Sequence, residues 1–156
     1  MNKYKNIFIA TTDTILGIGA PIKDSNKELI YELKKRPKAK NLIIMISSLE
    51  MGLKNFENIF TDKAIKYAKK YWPGNTTLVF NDDIAIRIPN NNKLIKMIDE
   101  IGPIFMTSAN ISGEKNYSLK KAKKVFKDKI TNFYDFGKMS GKSSKIIDIR
   151  TGKFLR

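Results

Sequence analysis

The chain has 156 residues, 42% of them hydrophobic, and a net charge of +15, which suits one basic domain with a buried core. It contains no cysteine and no histidine, which excludes disulfides, thiolate and imidazole metal sites, and catalytic triads that need histidine. Its longest apolar run, residues 42–46, is far too short to span a membrane, and the first residues lack the apolar segment expected of a signal peptide. We therefore expect a single cytoplasmic domain over residues 1–156.

The apolar runs and turn residues predict strands that alternate with helices. Residues 5–11 are a predicted strand, residues 17–21 a loop, and a capping box at Ser25–Glu28 begins a helix that ends before Pro37. Helices between strands indicate an α/β sheet, and a turn signal at residues 81–83 adds a hairpin that makes the sheet mixed. The other predicted elements are strand 42–48, helix 62–71 capped by Thr61, hairpin strands 76–80 and 84–88, helix 93–100 closed by Gly102, strand 103–107, a basic helix from Ser118 to Phe126, and strands near 130–136 and 145–149.

A polar loop follows one of these strands directly. The apolar residues 103–106 lead into Thr107-Ser108-Ala109-Asn110-Ile111-Ser112-Gly113, the serine-asparagine loop. Hydroxyl and amide groups at this density can bind phosphate or carboxylate oxygens, and the glycine permits a close backbone approach. A turn whose polar side chains satisfy local backbone groups is the alternative interpretation.

The basic residues differ in what they indicate. Only four of the thirty are arginine, a bias that AT-rich coding produces without selection for binding. Arg36 and Arg87 nevertheless lie beside prolines in polar motifs, and arginine recognises phosphate or carboxylate bidentately. We interpret the lysine-rich residues 120–127 as a solvated helix face, although the net charge keeps nucleic acid as a candidate class of partner.

Residues 137–143 look like a phosphate-binding P-loop, but the spacing between the glycines is one residue short and a predicted strand follows. Both features indicate an ordinary loop.

Six polar motifs occur in a fixed order along the chain. They are Thr12-Asp13-Thr14, Lys34-Lys35-Arg36-Pro37, Trp72-Pro73-Gly74-Asn75-Thr76-Thr77, Arg87-Ile88-Pro89, the serine-asparagine loop, and Ser144 with Asp148. Together they resemble the motifs of the YrdC/TsaC family of threonylcarbamoyl-adenylate synthases. The chain departs from the family pattern at Thr11, Leu16, Asn75 and Lys145, where the family usually has proline, tyrosine, proline and threonine.

The resemblance implies a fold and a reaction. The fold is a twisted mixed sheet flanked by helices, with a concave basic cavity. The reaction forms L-threonylcarbamoyladenylate and pyrophosphate from L-threonine, bicarbonate or CO2, and ATP, with Mg²⁺ bridging phosphate oxygens and no dedicated protein metal site. The product would pass to threonylcarbamoyl-transfer machinery that makes t6A37 in tRNA.

Carried over by motif, the resemblance implies two groups of binding residues and no catalytic side chain. Nucleotidyl transfer depends on positioning and charge neutralisation rather than on a general base, which suits a chain without histidine. Lys34 and Arg36 would hold the triphosphate, and Arg87 would grip the threonine carboxylate bidentately. The full ATP group is Lys34, Arg36, Asp83, Asn110, Ser118 and Arg156, and the threonine group is Thr12, Arg87, Ser108 and Ser144.

Two other functions compete with this interpretation. A non-catalytic module of the same fold could use its basic surface to bind RNA. A related carbamoyl transfer, as in hydrogenase-maturation proteins, would bring zinc-finger cysteines, and this chain has no cysteine. Neither alternative explains why the motif residues keep their order.

Overall fold

A mixed sheet runs through the structure, which a computed structural model describes over residues 2–37 and 41–156. The spatial order of its strands, numbered along the chain, is 7-1-2-6-3-5-4-8-9. Strand pairs 1–7, 3–5 and 4–8 are parallel and the other pairs are antiparallel, which confirms the predicted mixed α/β sheet. The strands are β1 (Phe8–Ala10), β2 (Gly17–Pro21), β3 (Ile43–Met45), β4 (Thr76–Val79), β5 (Ala85–Arg87), β6 (Ile104–Ser108), β7 (Asn132–Tyr134), β8 (Lys145–Asp148) and β9 (Lys153–Phe154).

Helices flank the sheet on both faces. Within the described ranges they are α1 (Asp24–Lys34), α2 (Leu49–Asn55), α3 (Asp62–Tyr71), α4 (Asn92–Ile101) and α5 (Leu119–Phe126). On one face, Ile30 of α1 and Phe126 of α5 pack with Ile9, while Ala68 of α3 packs with Ile86. None of the helices in the described residues is long and apolar enough to cross a membrane.

The other face of the sheet carries α4 and a cavity. Leu94 and Ile98 of α4 pack against Phe8, Ala10 and Met106 at the end of the sheet that contains β1. Beyond α4, side chains of β3, β5, β4 and β8 on this same face line a cavity. The sheet therefore has one face that is packed with helices and a second face that is divided between α4 and a potential binding site.

Several predicted helix and turn signals are confirmed. The Thr61 hydroxyl accepts a hydrogen bond from the amide of Ala64 and begins α3 at the predicted residue. The Ser118 hydroxyl caps α5 through the amide of Lys121. The Asn81 side chain closes the β4–β5 hairpin, and residues 137–143 form a loop that leads into β8. Side-chain capping is a local interaction, so the sequence predicts it well.

Two local predictions are wrong. Residues 17–21 form β2, a central strand between β1 and β6, and not a loop. Their glycines are turn signals in sequence, but here they allow close strand contact, because a Cβ at Gly19 would lie 2.6 Å from the Phe105 carbonyl oxygen. The capping box at Ser25 does not form either. The helix begins two residues earlier, with Lys23 and not Ser25 as its N-cap, and the Lys23 side chain makes no capping bond.

Candidate functional site

A cavity of about 290 Å³ lies on the face of the sheet that carries α4. Both residues of the cross-strand pairs Met45–Arg87 and Thr77–Ile146 line it, because residues opposite each other on neighbouring strands share a face. Residues from loops after β1 and before β8 also line it, as do Arg36, Asn41, Asn116 and Arg156. The cavity thus brings together motifs that are far apart in sequence.

Arg87 projects from β5 into this region and is only 2% exposed. Its Nη1 atom lies 2.9 Å from both carboxylate oxygens of Asp13 and 2.9 Å from the Gly74 carbonyl oxygen. Its Nη2 atom donates to the Thr14 hydroxyl at 3.2 Å, and among the described residues Nε contacts no acceptor. Because Nη1 is fully occupied, a bidentate grip on a ligand carboxylate has only the edge formed by Nε and Nη2.

The threonines after β1 shape the turn beside Arg87. The Thr12 hydroxyl donates to the Ile15 carbonyl at 2.7 Å and accepts from the Thr14 amide at 3.0 Å. This places the Thr14 hydroxyl against Arg87, and both threonines line the cavity. Thr12 therefore organises the turn as well as contributing to the lining.

Ser144 lies on another side of the cavity, immediately before β8. Its hydroxyl is 2.9 Å from the Thr77 hydroxyl and accepts from Nη2 of Arg156 at 3.0 Å. Nε of Arg156 donates to the Ser144 carbonyl at 2.7 Å. Lys145, next to Ser144, is exposed and does not line the cavity, whereas Leu16 is buried and does line it.

Within the described ranges, the charged side chains that line the cavity are all arginines. Nη1 of Arg36 donates to the Thr107 hydroxyl at 3.2 Å, and its Nη2 donates to the Asn41 carbonyl at 2.9 Å. Burial lowers the pKa of Arg36, and burial together with the charge of Arg87 lowers the pKa of Arg156. An anionic ligand would compensate this loss of solvation and this repulsion.

Lys34 and Asn110 lie behind the lining. Lys34 is 1% exposed, and its ammonium donates to carbonyl and side-chain oxygens of Ser108 and Asn110. The Asn110 amide nitrogen donates to the carbonyls of Ile111 and Glu114. Lys34, Ser108 and Asn110 are all predicted binding residues, but of these three only Ser108 lines the cavity.

Two further predicted residues lie outside the lining. Asp83 is exposed in the β4–β5 turn, and the Ser118 hydroxyl accepts a hydrogen bond as the cap of α5. Sequence reasoning also missed Asp13, the carboxylate that holds Arg87, although it lies inside a recognised motif. The sequence feature that could have identified Asp13 is an acidic residue between two threonines, directly after a buried strand. Over the described residues, no group of three or more acidic side chains could hold a metal ion.

The chain is similar to a known family and to named relatives over most of its length. The Sua5/YciO/YrdC family, described as "Telomere recombination", matches residues 3–156. A threonylcarbamoyl-AMP synthase of Pyrococcus abyssi is 34% identical over 88% of this chain and 45% of its own length. One from Marinobacter nauticus is 27% identical over 93% of this chain and 85% of its own length.

A solved structure matches as well. The crystal structure of P. abyssi Sua5 complexed with L-threonine superposes with a TM-score of 0.79 and 30% identity, over 94% of this chain and 48% of that one. This chain therefore spans less than half the length of either Pyrococcus relative. The family match covers nearly all of its residues, and each of the six motifs contributes at least one residue to the lining of one cavity. The chain belongs to the Sua5/YciO/YrdC family.

Proposed function

We propose that the chain synthesises threonylcarbamoyl-AMP from L-threonine, bicarbonate or CO2, and ATP. The observation that carries the proposal is the cavity lined by three arginines, in which Asp13 immobilises Arg87. Relatives that bear the name threonylcarbamoyl-AMP synthase support the same reaction. A carboxylate and a triphosphate are the anionic groups that such a set of arginines recognises.

L-threonine would bind at the Arg87 side of the cavity. Its carboxylate would accept hydrogen bonds from Nε and Nη2 of Arg87, the edge that Asp13 leaves available. Thr12, Ser108 and Ser144 would contribute hydroxyl groups, since all three line the cavity. A related Sua5 protein has been crystallised with L-threonine, which supports this choice of amino acid.

ATP would bind through Arg36 and Arg156, the other two arginines of the lining. Mg²⁺ would arrive as part of the substrate, coordinated by phosphate oxygens, as is usual for this ion. Lys34 and Asn110 would then support the nucleotide from behind the serine-asparagine loop. Asp83 and Ser118 would contact it only where it extends beyond the cavity.

The proposed chemistry needs no general base from the protein. The amino group of threonine combines with bicarbonate to give a carbamate and water. A carbamate oxygen then attacks the α-phosphorus of ATP, the bond to the β-phosphate oxygen breaks, and pyrophosphate leaves. Arginines that neutralise the phosphate charge and hold the reacting groups together supply the catalysis expected for this transfer.

The test is an assay of the purified chain with L-threonine, bicarbonate, ATP and Mg²⁺. We expect pyrophosphate and an adenylate of the mass of threonylcarbamoyl-AMP, and both should disappear when bicarbonate or threonine is omitted. Equal pyrophosphate release in CO2-free buffer would show direct adenylation of threonine instead. No release under any condition would refute synthesis by this chain alone.

The wider context of the reaction is part of the same proposal. The adenylate is a mixed anhydride that hydrolyses in water, so a threonylcarbamoyl transferase acting on tRNA must consume it promptly. We propose a cytoplasmic location for this reason, since ATP and tRNA are available there. Weak RNA binding by the basic surface would accompany synthesis without being required for it.

A further inference from the structure

The Lys34 ammonium faces four acceptors in one loop. Nζ lies 3.2 Å from the Ser108 hydroxyl oxygen, 2.9 Å from the Asn110 carbonyl oxygen and 3.3 Å from the Asn110 side-chain oxygen, and it also donates to the Ser108 carbonyl. A lysine ammonium has three N–H groups and accepts no hydrogen bond. All of its donors are therefore used inside the protein.

The same end of α1 binds the loop at two more points. The Lys34 carbonyl accepts from the Ser112 amide at 2.8 Å, and Arg36 donates to the Thr107 hydroxyl. The helix end thus contacts residues 107, 108, 110 and 112 of the serine-asparagine loop. Because the helix end bonds to four residues of the loop, it fixes the conformation of the loop.

The Ser108 hydroxyl connects this arrangement to the cavity. Its oxygen accepts from Lys34, and Ser108 lines the cavity. A hydroxyl has one hydrogen to donate, and here the oxygen is already engaged as an acceptor, so the hydrogen is free to point to another oxygen. Lys34 therefore favours the orientation in which Ser108 donates to an anion in the cavity.

We propose that Lys34 is a positioning residue, whose ammonium orders the serine-asparagine loop and directs the Ser108 hydroxyl toward the ligand without touching the ligand itself. Lys34 does not line the cavity, which separates this role from a direct phosphate contact. The identity of the ligand as L-threonine rests on the proposed function, whereas the ordering of the loop does not.

The charge on Lys34 should be sensitive to pH. Burial, with a smaller contribution from the positive charge of Arg36, lowers its pKa from 10.5 to about 8. The facing loop, residues 107–113, has no charged side chain, and the flanking Glu114 and Tyr117 bond to each other at 2.7 Å. A neutral amine keeps two N–H groups for the same four acceptors, so the loop should loosen as Lys34 loses its proton.

A ligand-free NMR titration tests the proposal. We would follow the Lys34 side-chain resonances and the backbone amides of Ser108, Asn110 and Ser112 from pH 6.5 to 10. The expected result is a common midpoint near pH 8, with amides of α5 as an internal control. The proposal is overturned if Lys34 titrates with the exposed lysines, or if it titrates near pH 8 and the loop amides do not follow.

Variants then separate positioning from general stability. Lys34→Met should abolish the shared titration and weaken L-threonine binding about tenfold or more, the factor expected when a hydrogen bond to a charged group is lost. Lys35→Met removes the same charge from the exposed neighbouring residue, and it should change neither the shared titration nor L-threonine binding. Retained binding in Lys34→Met would contradict the proposal. If Lys34→Met does not fold, the wild-type titration still decides.

The outcomes also distinguish this inference from the proposed function. If the loop amides follow Lys34 while the wild-type chain makes no adenylate, the proposed function fails and the positioning role stands. If adenylate is made and the loop amides do not follow Lys34, the positioning role fails and the proposed function stands.

Discussion

The Arg87 guanidinium is held by Asp13, with Nη1 of Arg87 2.9 Å from both carboxylate oxygens. The side chains are 3% and 12% exposed, so the pair is nearly removed from water. Asp13 also accepts a hydrogen bond from the Asn90 amide at 2.9 Å. The carboxylate therefore fixes both the arginine and the segment that follows β5, and it leaves one edge of the guanidinium for a ligand.

Removal of the Asp13 carboxylate should destabilise the fold. Asp13→Ala leaves the buried Arg87 charge without its partner, and loss of one member of a buried pair costs about 3–5 kcal/mol. Asp82→Ala is the matched control, because Asp82 pairs with Arg150 while its side chain is 90% exposed. That change should cost at most about 1 kcal/mol. Urea unfolding monitored by circular dichroism measures both, and equal losses would contradict the burial argument.

Arg87→Lys should weaken threonine binding while keeping a positive charge near Asp13. Lysine lacks the planar edge of Nε and Nη2, so we expect a loss of about 1.5–3 kcal/mol, the range for a hydrogen bond to a charged group. ATP affinity should change much less. Calorimetry with each ligand separates the effects, and Arg150→Lys outside the cavity serves as the control. Loss of ATP affinity with intact threonine affinity would mean that the two ligand assignments are reversed.

The two glycines of β2 should respond differently to alanine. At Gly19 a Cβ would meet the Phe105 carbonyl oxygen at 2.6 Å, a backbone atom that cannot move aside, so Gly19→Ala should cost about 1–3 kcal/mol of stability. At Gly17 the Cβ would overlap the flexible end of Met106 instead. Gly17→Ala should therefore lower stability less and ligand affinity more, because Gly17 and Met106 line the cavity. Thermal unfolding measures the stability of each variant, and ligand titration measures its affinity. A larger loss of stability in Gly17→Ala than in Gly19→Ala would contradict this explanation.

The stability of the wild-type chain should rise with pH relative to Lys34→Met. The pKa of Lys34 is lowered from 10.5 to about 8 in the folded protein. Between these values the unfolded chain binds more protons, so the Lys34 contribution to stability increases with pH over this window and is constant below it. Denaturant unfolding of both proteins at pH 7, 9 and 10.5 checks the difference. A constant difference across this range would mean that Lys34 has an ordinary pKa.

Salt and charge changes distinguish an enzyme from an RNA-binding module. The quadruple change of Lys120, Lys121, Lys123 and Lys124 to glutamine removes exposed charge from α5 and should reduce RNA binding while sparing adenylate synthesis. Arg36→Ala should reduce adenylate synthesis and spare RNA binding, because Arg36 lines the cavity. ATP binding should survive moderate salt better than RNA binding does. Loss of synthesis in the α5 variant, with synthesis retained in Arg36→Ala, would favour the RNA-binding module.

Local signals in the sequence determined much of the secondary structure, and six of the ten predicted binding residues line the cavity. Caps such as Thr61 and Ser118, and the turn at Asn81, depend on neighbours three residues away or fewer, so they are readable without the fold. The arginines at positions 36 and 87 were informative because arginine is rare in a lysine-rich chain. Both line the cavity.

Only the tertiary structure decided what each polar side chain contacts. Lys34 lies two residues from Arg36 in one motif, yet its ammonium points behind the serine-asparagine loop while the guanidinium of Arg36 reaches the cavity. Asp13 meets Arg87 across 74 residues, and Gly17 and Gly19 form a central strand because partner strands approach closely there. Such contacts depend on strand order and register, which bring together residues that no local pattern connects.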